Sequence, residues 1–270
     1  MMSEYLLQVG KKGFDRLKFI NDVFGEHSRN FLIRAGITEG KRVLEFGCGT
    51  GSMTTWLAKQ VGVNGQVIAV DASDEQLELA RKAAEKPGFT NIEFIRSTIE
   101  ALDLPSDFID LAYSRLLLMH LMDPKCVLIK IKKYLKPGGV IACEEPHAGS
   151  LTTTPRNEHI ERFNELFIRL GKLQGFDFNI GDKLYSILKS AGYSQLHAVF
   201  VQPVISMAEA IDFVLMGAAE LSPVAVKSGM VSEKDVKKML LDLQNSKSEG
   251  DSYYTFPRQA QMFGYKQSVR

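Results

Sequence analysis

"VLEFGCGTGSM", Val43 to Met53, sets three glycines at alternate positions directly after an apolar run that carries one acid. Gly47, Gly49 and Gly51 let the backbone turn sharply out of a strand and let a ligand approach the main chain without meeting a Cβ. The spacing separates the candidate ligands. The dinucleotide fingerprint is G-x-G-x-x-G, one residue longer than the pattern here. A phosphate-gripping P-loop needs Lys and Ser/Thr after its last glycine, whereas Gly51 is followed by Ser52 and Met53. Glu45 stands at the same turn, where it repels a triphosphate and attracts a cation.

Outward from this turn, strands and helices alternate. Arg42 to Phe46 is a short apolar strand, followed past the glycines by a helix through Thr54, Trp56, Leu57 and Ala58. Further strands are expected at Gln66 to Ala72, Asn91 to Ser97, Phe108 to Arg115 and Val140 to Pro146. Ser73 to Gln76 reads as a capping box opening a helix that Pro87-Gly88 closes, and another helix spans Pro124 to Leu135. The strands are continuous apolar runs, as in buried parallel sheets, so the pattern predicts a doubly wound α/β fold.

The flanks differ. Phe14, Leu17, Ile20 and Phe24 predict amphipathic helix over residues 4 to 24, broken near Gly10 and Gly13, with a further helix from His27 to Ala35 stopped by Gly36. Beyond residue 150, Ile160, Phe163, Phe167 and Leu170 share one helical face. A helix at Asp182 to Ala191 and a strand at Ser194 to Gln202 follow. Ser206 with Glu209 forms a capping box, Ser232 opens a last helix, and "YYTFPRQAQMFGYKQ" is suited to a final strand. The expected organisation is a helical cap at 1–36, a ligand-binding core at 37–150, and remaining core strands with a helical lid at 151–270.

Composition narrows the function. The 270 residues include 33 Lys plus Arg against 32 Asp plus Glu, a net charge of +1, with no basic stripe of the kind nucleic-acid binding requires. The three cysteines, Cys48, Cys126 and Cys143, are too dispersed for a disulfide framework or zinc pattern and suit a reducing cytoplasm. No stretch approaches the roughly 18 apolar residues of a membrane span.

"VLEFGCGTG", "VIAVDAS", "IRSTIEAL", "IDLAYSRLLLMHL" and "LKPGGVIACEE", in this order over about residues 40 to 146, resemble the motifs of class I S-adenosylmethionine-dependent methyltransferases, in particular small-molecule, UbiE-like members. The resemblance implies a Rossmann-like, mostly parallel seven-stranded sheet with N-terminal and C-terminal lid helices, the tail supplying an antiparallel strand. It implies that Glu45, Gly47, Cys48, Gly49 and Gly51 hold the methionine part of S-adenosylmethionine, and that Asp71 accepts from the ribose hydroxyls with Ala72 near the adenine. Thr98 and Ile99 fall where such enzymes present a residue, often Asp, to the adenine amino group. Ser114 and Arg115 fall beside the transferred methyl, and the product is S-adenosylhomocysteine.

Methyl transfer needs alignment more than a catalytic group, because orientation alone supplies roughly 7 to 11 kcal/mol. A general base matters only for a protonated acceptor, and His120, after the fourth strand, is the candidate. Glu144, Glu145 and His147 cluster at the ligand end of the fifth strand, suited either to binding an acceptor or to capping. Met53 suits the pocket or the core, and His159 and His197 read as ordinary surface or strand residues. No metal cluster is expected. "SRLL" departs from the Asp/Asn-Pro-Pro-aromatic signature of amine-directed enzymes. The expected partner is a small organic methyl acceptor, with a homodimer compatible; the alternatives are a protein or RNA acceptor, or a catalytically silent cofactor binder.

Overall fold

The structure, a computed structural model, describes residues 13–85, 88–247 and 251–267. The N-terminal pattern forms one helix, α1 (Phe14–Arg34), rather than separate helices divided ahead of His27. Gly25 lies inside it with the Asn21 side chain against its bare Cα, and no proline interrupts the ladder, so nothing breaks the helix there. The expected helix at residues 4–12 and its break near Gly10 lie outside the described residues. Gly36 ends α1 at φ +87°, donating to Ile33 O while Ile37 N reaches Leu32 O.

The alternating region follows as β1 (Arg42–Phe46), α2 (Thr54–Val61), β2 (Gln66–Asp71), α3 (Asp74–Glu85), β3 (Ile92–Arg96), β4 (Ile109–Arg115), α4 (Pro124–Tyr134) and β5 (Leu135–His147). β5 begins well before the apolar run at Val140, because Leu135 already pairs with Ile109 of β4 and the KPGG segment bulges out before the register resumes at Leu111 and Val140. Then come β6 (Thr152–Thr154), α5 (Glu158–Leu173), α6 (Leu184–Ser190), β7 (Ser194–Val201), β8 (Val204–Ser206), α7 (Met207–Lys227), α8 (Glu233–Asn245), β9 (Tyr253–Thr255) and β10 (Arg258–Tyr265). Of the two predicted capping boxes, Ser206/Glu209 forms, and a further one forms at Ser232/Asp235, where only a helix start was expected.

A seven-stranded sheet runs β3-β2-β1-β4-β5-β10-β7, with β10 antiparallel to both neighbours and the first five strands parallel. Successive residues of β2 face opposite cores: Ile68 and Val70 pack with α4 and the later helices, Val67 and Ala69 with α2 and α3. Burial on both faces is what a continuous apolar run encodes. The tail divides into two strands at Phe256-Pro257, and β9 pairs with β6 and β8 in a small second sheet. Among the described residues no helix is long and apolar enough to cross a membrane.

The strand order reverses between β1 and β4, opening a crevice at the carboxyl ends of the strands. The glycine turn sits at that mouth. A Cβ at Gly51 would lie 2.9 Å from the Ala80 Cα, so this glycine lets the turn seat on α3. Gly40 has the same backbone sign, φ +80°, but open space around it. Gly51→Ala is therefore expected to cost roughly 1–3 kcal/mol of packing strain beyond the left-handed penalty shared with Gly40→Ala. Urea unfolding of the two variants side by side measures the difference.

Candidate functional site

The first feature of the site is a carboxylate that organises backbone. Asp71, at the end of β2, accepts from Gly49 N at 2.9 Å through Oδ2 and from Ser73 N at 2.9 Å through Oδ1. Burial pushes its carboxyl up from the ordinary range, opposed by these N–H bonds. The glycine turn is thereby tied to the start of α3. A Cβ built at Gly49 meets no atom within 4 Å, so the bare backbone faces open space.

That space is a cavity of about 270 Å³, reached by Glu45, Gly47, Cys48, Gly49, Asp71 and Arg115 among the residues expected from sequence. Glu45 is buried on β1 and accepts from Thr54 Oγ1 at 2.5 Å. Desolvation raises its carboxyl to about 7, with Thr54 and Arg115 pulling the other way. The Arg115 guanidinium donates to Ser28 Oγ and Asn21 Oδ1, both at 3.1 Å, which fastens α1 over the end of β4. Met53 is buried and borders the same cavity.

Other expected residues lie elsewhere. Gly51 packs on α3, and Ala72 is half-buried away from the cavity wall. Thr98 Oγ1 accepts from Ala101 N at 3.2 Å, capping a turn, and Ile99 is in the core. Ser114 is wholly buried beside the Cys143 thiol. None of these five borders the cavity.

One site residue was not anticipated in its role. In a full capping box the Gln76 side chain would return to Ser73 N, but Asp71 already occupies that donor. Only Gln76 N keeps its bond to Ser73 Oγ, at 3.3 Å. The Gln76 side chain instead borders the cavity, and its Oε1 is buried without a hydrogen-bond partner. A buried acceptor left unpaired costs roughly 1–3 kcal/mol, so a ligand donor is expected there.

Adjacent acids on β5 do separate structural work. Glu144 accepts from Tyr113 OH (2.5 Å), Gln261 Nε2 (2.8 Å) and Ser28 Oγ (3.0 Å), joining α1, β4 and β10. Glu145 points the other way and accepts from Leu117 N, Leu118 N and Met119 N. Burial pushes its carboxyl up to about 8 against these bonds. It holds the loop after β4, where Leu116 is kept at φ +57°, a strained setting for a non-glycine residue, on the cavity wall. The pair therefore caps and braces rather than facing a ligand. His147 joins Asp182, at 2.6 Å, and Arg258 outside the cavity.

His120 ends the turn Leu118–His120 and does border the cavity. Its ring stands edge-on to Phe176 and Phe178, and burial, then the Arg16 charge, drives its pKa down to about 3. The imidazole is neutral near pH 7, and its lowered pKa makes it a weak proton acceptor. Beyond it the cavity is apolar, bounded by Phe163, Phe167, Phe213 and Phe256, with the ion pair of Arg16 and Glu220 at 3.0 Å on one side. Among the described residues no three His, Cys, Asp or Glu groups converge as metal ligands.

A family model of the methyltransferase domain matches residues 37–192. The chain belongs to the methyltransferase-domain family. An uncharacterized methyltransferase of Schizosaccharomyces pombe is 34% identical over 125 residues, 44% of this chain and 45% of that protein. The ubiquinone/menaquinone biosynthesis C-methyltransferase UbiE of Shewanella frigidimarina is 29% identical over 154 residues, 55% of this chain and 59% of that one. The chain thus spans about half the length of the curated relatives it matches. The YcgJ structure from Bacillus subtilis superposes with TM-score 0.62 at 18% identity, covering 90% of this chain and all of that one, a likeness of fold.

The methyltransferase-domain site fits S-adenosylmethionine on its own atoms. Asp71 and the orphaned Gln76 Oε1 suit nucleoside hydroxyl or amino donors, the bare Gly49 leaves clearance, and Glu45 suits an ammonium. Because Glu45 is raised to about 7 and a cationic ligand requires its ionised form, affinity for S-adenosylhomocysteine should climb with pH. From about pH 5.5 to about pH 7 the gain is expected on the order of tenfold, and Glu45→Gln should flatten it. Calorimetric titration across that range reads both slopes.

Proposed function

We propose that this protein transfers a methyl group from S-adenosylmethionine to an O, N or C nucleophile of a small, largely apolar organic molecule. The observation carrying this reading is one continuous cavity. It is lined by Glu45, Gly49, Asp71 and Gln76 at one end and by aromatic side chains at the other, all from a single chain. S-adenosylmethionine, when bound, supplies a methyl on a positively charged sulfur that departs as a neutral thioether.

The chain's own groups account for the rest. Asp71 and Gln76 hold the nucleoside, Glu45 holds the amino group, and Thr54 keeps Glu45 aimed. Arg115, anchored to α1, balances the buried acids. Leu116 and Leu117, braced through Glu145, form a rigid wall beside the reacting region, so acceptor and donor meet in a fixed geometry. α1, α5, α7 and the small sheet cover the acceptor end and exclude water. The neutral His120 ring can accept a hydrogen bond from an acceptor but does not store a proton. Ubiquinone and menaquinone precursors, named for relatives, are compatible examples of ring acceptors.

Asp71→Ala is expected to weaken S-adenosylmethionine binding by more than about tenfold, the loss of charged hydrogen bonds, with the fold retained. Calorimetry measures it, and an unchanged dissociation constant would refute the ribose assignment. Failure of the unaltered protein to bind S-adenosylmethionine at millimolar concentration would end the methyltransferase reading. Labelled methyl recovered in protein or RNA from a lysate, rather than in the small-molecule fraction, would reassign the acceptor.

A further inference from the structure

The acceptor end of the cavity is apolar but not featureless. Most polar side chains on its wall are engaged within the protein. Arg16 is paired with Glu220, Asn164 Nδ2 donates to Ala148 O at 2.9 Å, and Gln259 Nε2 lies 3.4 Å from Glu144. His120 sits edge-on to two phenylalanines. Tyr254 is different. Its side chain borders the cavity, it is 1% exposed, and its hydroxyl has no hydrogen-bond partner among the described residues.

The local structure explains how a tyrosine comes to be held this way. Strand periodicity along β9 turns Tyr253 outward at 44% exposure and Tyr254 inward. β9 is the central strand of the small sheet, with Tyr254 opposite Thr153 on β6 and Ile205 on β8, so its backbone is fixed from both sides. The ring meets Phe256 edge-to-face at 5.0 Å, and Phe256 in turn packs with Phe213 at 5.2 Å. Rigid backbone and packed ring leave the hydroxyl little freedom to find a partner elsewhere. A hydroxyl that faces only the cavity takes its hydrogen-bond partner from what the cavity holds, a contact that phenylalanine would not make.

Resting on the methyltransferase reading above, we infer that Tyr254 is the residue that binds and orients the methyl acceptor, by a hydrogen bond from its hydroxyl to a hydroxyl or carbonyl oxygen on an uncharged, ring-bearing molecule. The aromatic walls supply the ring's contacts. The acceptor is uncharged because, among the described residues, the formal charge that borders this end of the cavity is Arg16, which Glu220 neutralises, and an unpaired charge would not be desolvated there. Burial also keeps the Tyr254 phenol in its protonated form, ready to donate. Tyr254 thus sets which edge of the ring faces the methyl donor.

The test uses the full-length protein saturated with S-adenosylhomocysteine and two fluorescent probes, 2-naphthol and naphthalene, which differ by one hydroxyl. Both should bind the unaltered protein. Tyr254→Phe should weaken 2-naphthol about fivefold to tenfold and leave naphthalene within about twofold. It should leave S-adenosylhomocysteine affinity and the melting temperature of the ligand-free protein unchanged, since the hydroxyl has no structural bond to lose. Equal affinity of 2-naphthol for both proteins, equal loss of both probes, a melting temperature lowered in the variant, or no binding of either probe to the unaltered protein would each overturn the assignment. S-adenosylhomocysteine binding is measured first. Its absence sinks the methyltransferase reading, whereas its presence with any overturning probe result sinks only the role of Tyr254.

Discussion

The site depends on the two hydrogen bonds that the Asp71 carboxylate accepts from Gly49 N and Ser73 N. They join the turn after β1 to the turn after β2, neighbouring strands on one side of the crevice. A carboxylate held by two backbone donors is fixed in orientation, so it presents its remaining lone pairs in one direction. Because Asp71 takes the Ser73 amide, Gln76 is released from capping and turns its amide toward the cavity. The bare Gly49 backbone and the unpaired Gln76 oxygen are consequences of one geometric choice.

The buried acids at the strand ends divide the remaining labour by direction. Glu45 on β1 faces the cavity and is steadied by Thr54. Glu144 turns to the α1 side, where Ser28, Tyr113 and Gln261 converge on it. Glu145, its neighbour, necessarily turns to the opposite face, where three successive amides of the loop after β4 need an acceptor. Each acid is buried with donors that offset its desolvation, and each fixes an element that borders the cavity. α1 is held at two points, by Arg115 through Ser28 and Asn21 and by the ion pair between Arg16 and Glu220.

Local features predicted much of this. The glycine spacing with Glu45 before it and Asp71 after it marked the turn at the mouth of the crevice, and apolar runs marked the parallel strands, the inner ones because both of their faces are buried. Three things were not local. The small sheet uses three-residue strands whose partners lie about a hundred residues away in some pairs, so no run of residues announces it. α1 read as one helix ending at Phe24 and another starting at His27, while burial of Phe31 and Leu32 against the sheet side keeps it whole. Thr98, Ile99 and Ser114 matched motif positions in order but turned to a cap or the core, since position along a strand does not state which side a residue faces at its end.

The sequence by itself determined the family, the doubly wound sheet and the carboxylates that stand at the glycine turn, because each rests on spacing within one turn or one strand. Only the tertiary structure decided which side chains surround the apolar end of the cavity. Those come from α1, α5, α7 and β9, elements separated along the chain and brought together by burial of their apolar faces. Burial is non-directional and specifies that aromatic residues meet, not which polar atom remains unpaired among them. Gln76 Oε1 is buried without a hydrogen-bond partner and the Tyr254 side chain borders the cavity, and no stretch of sequence announces either state.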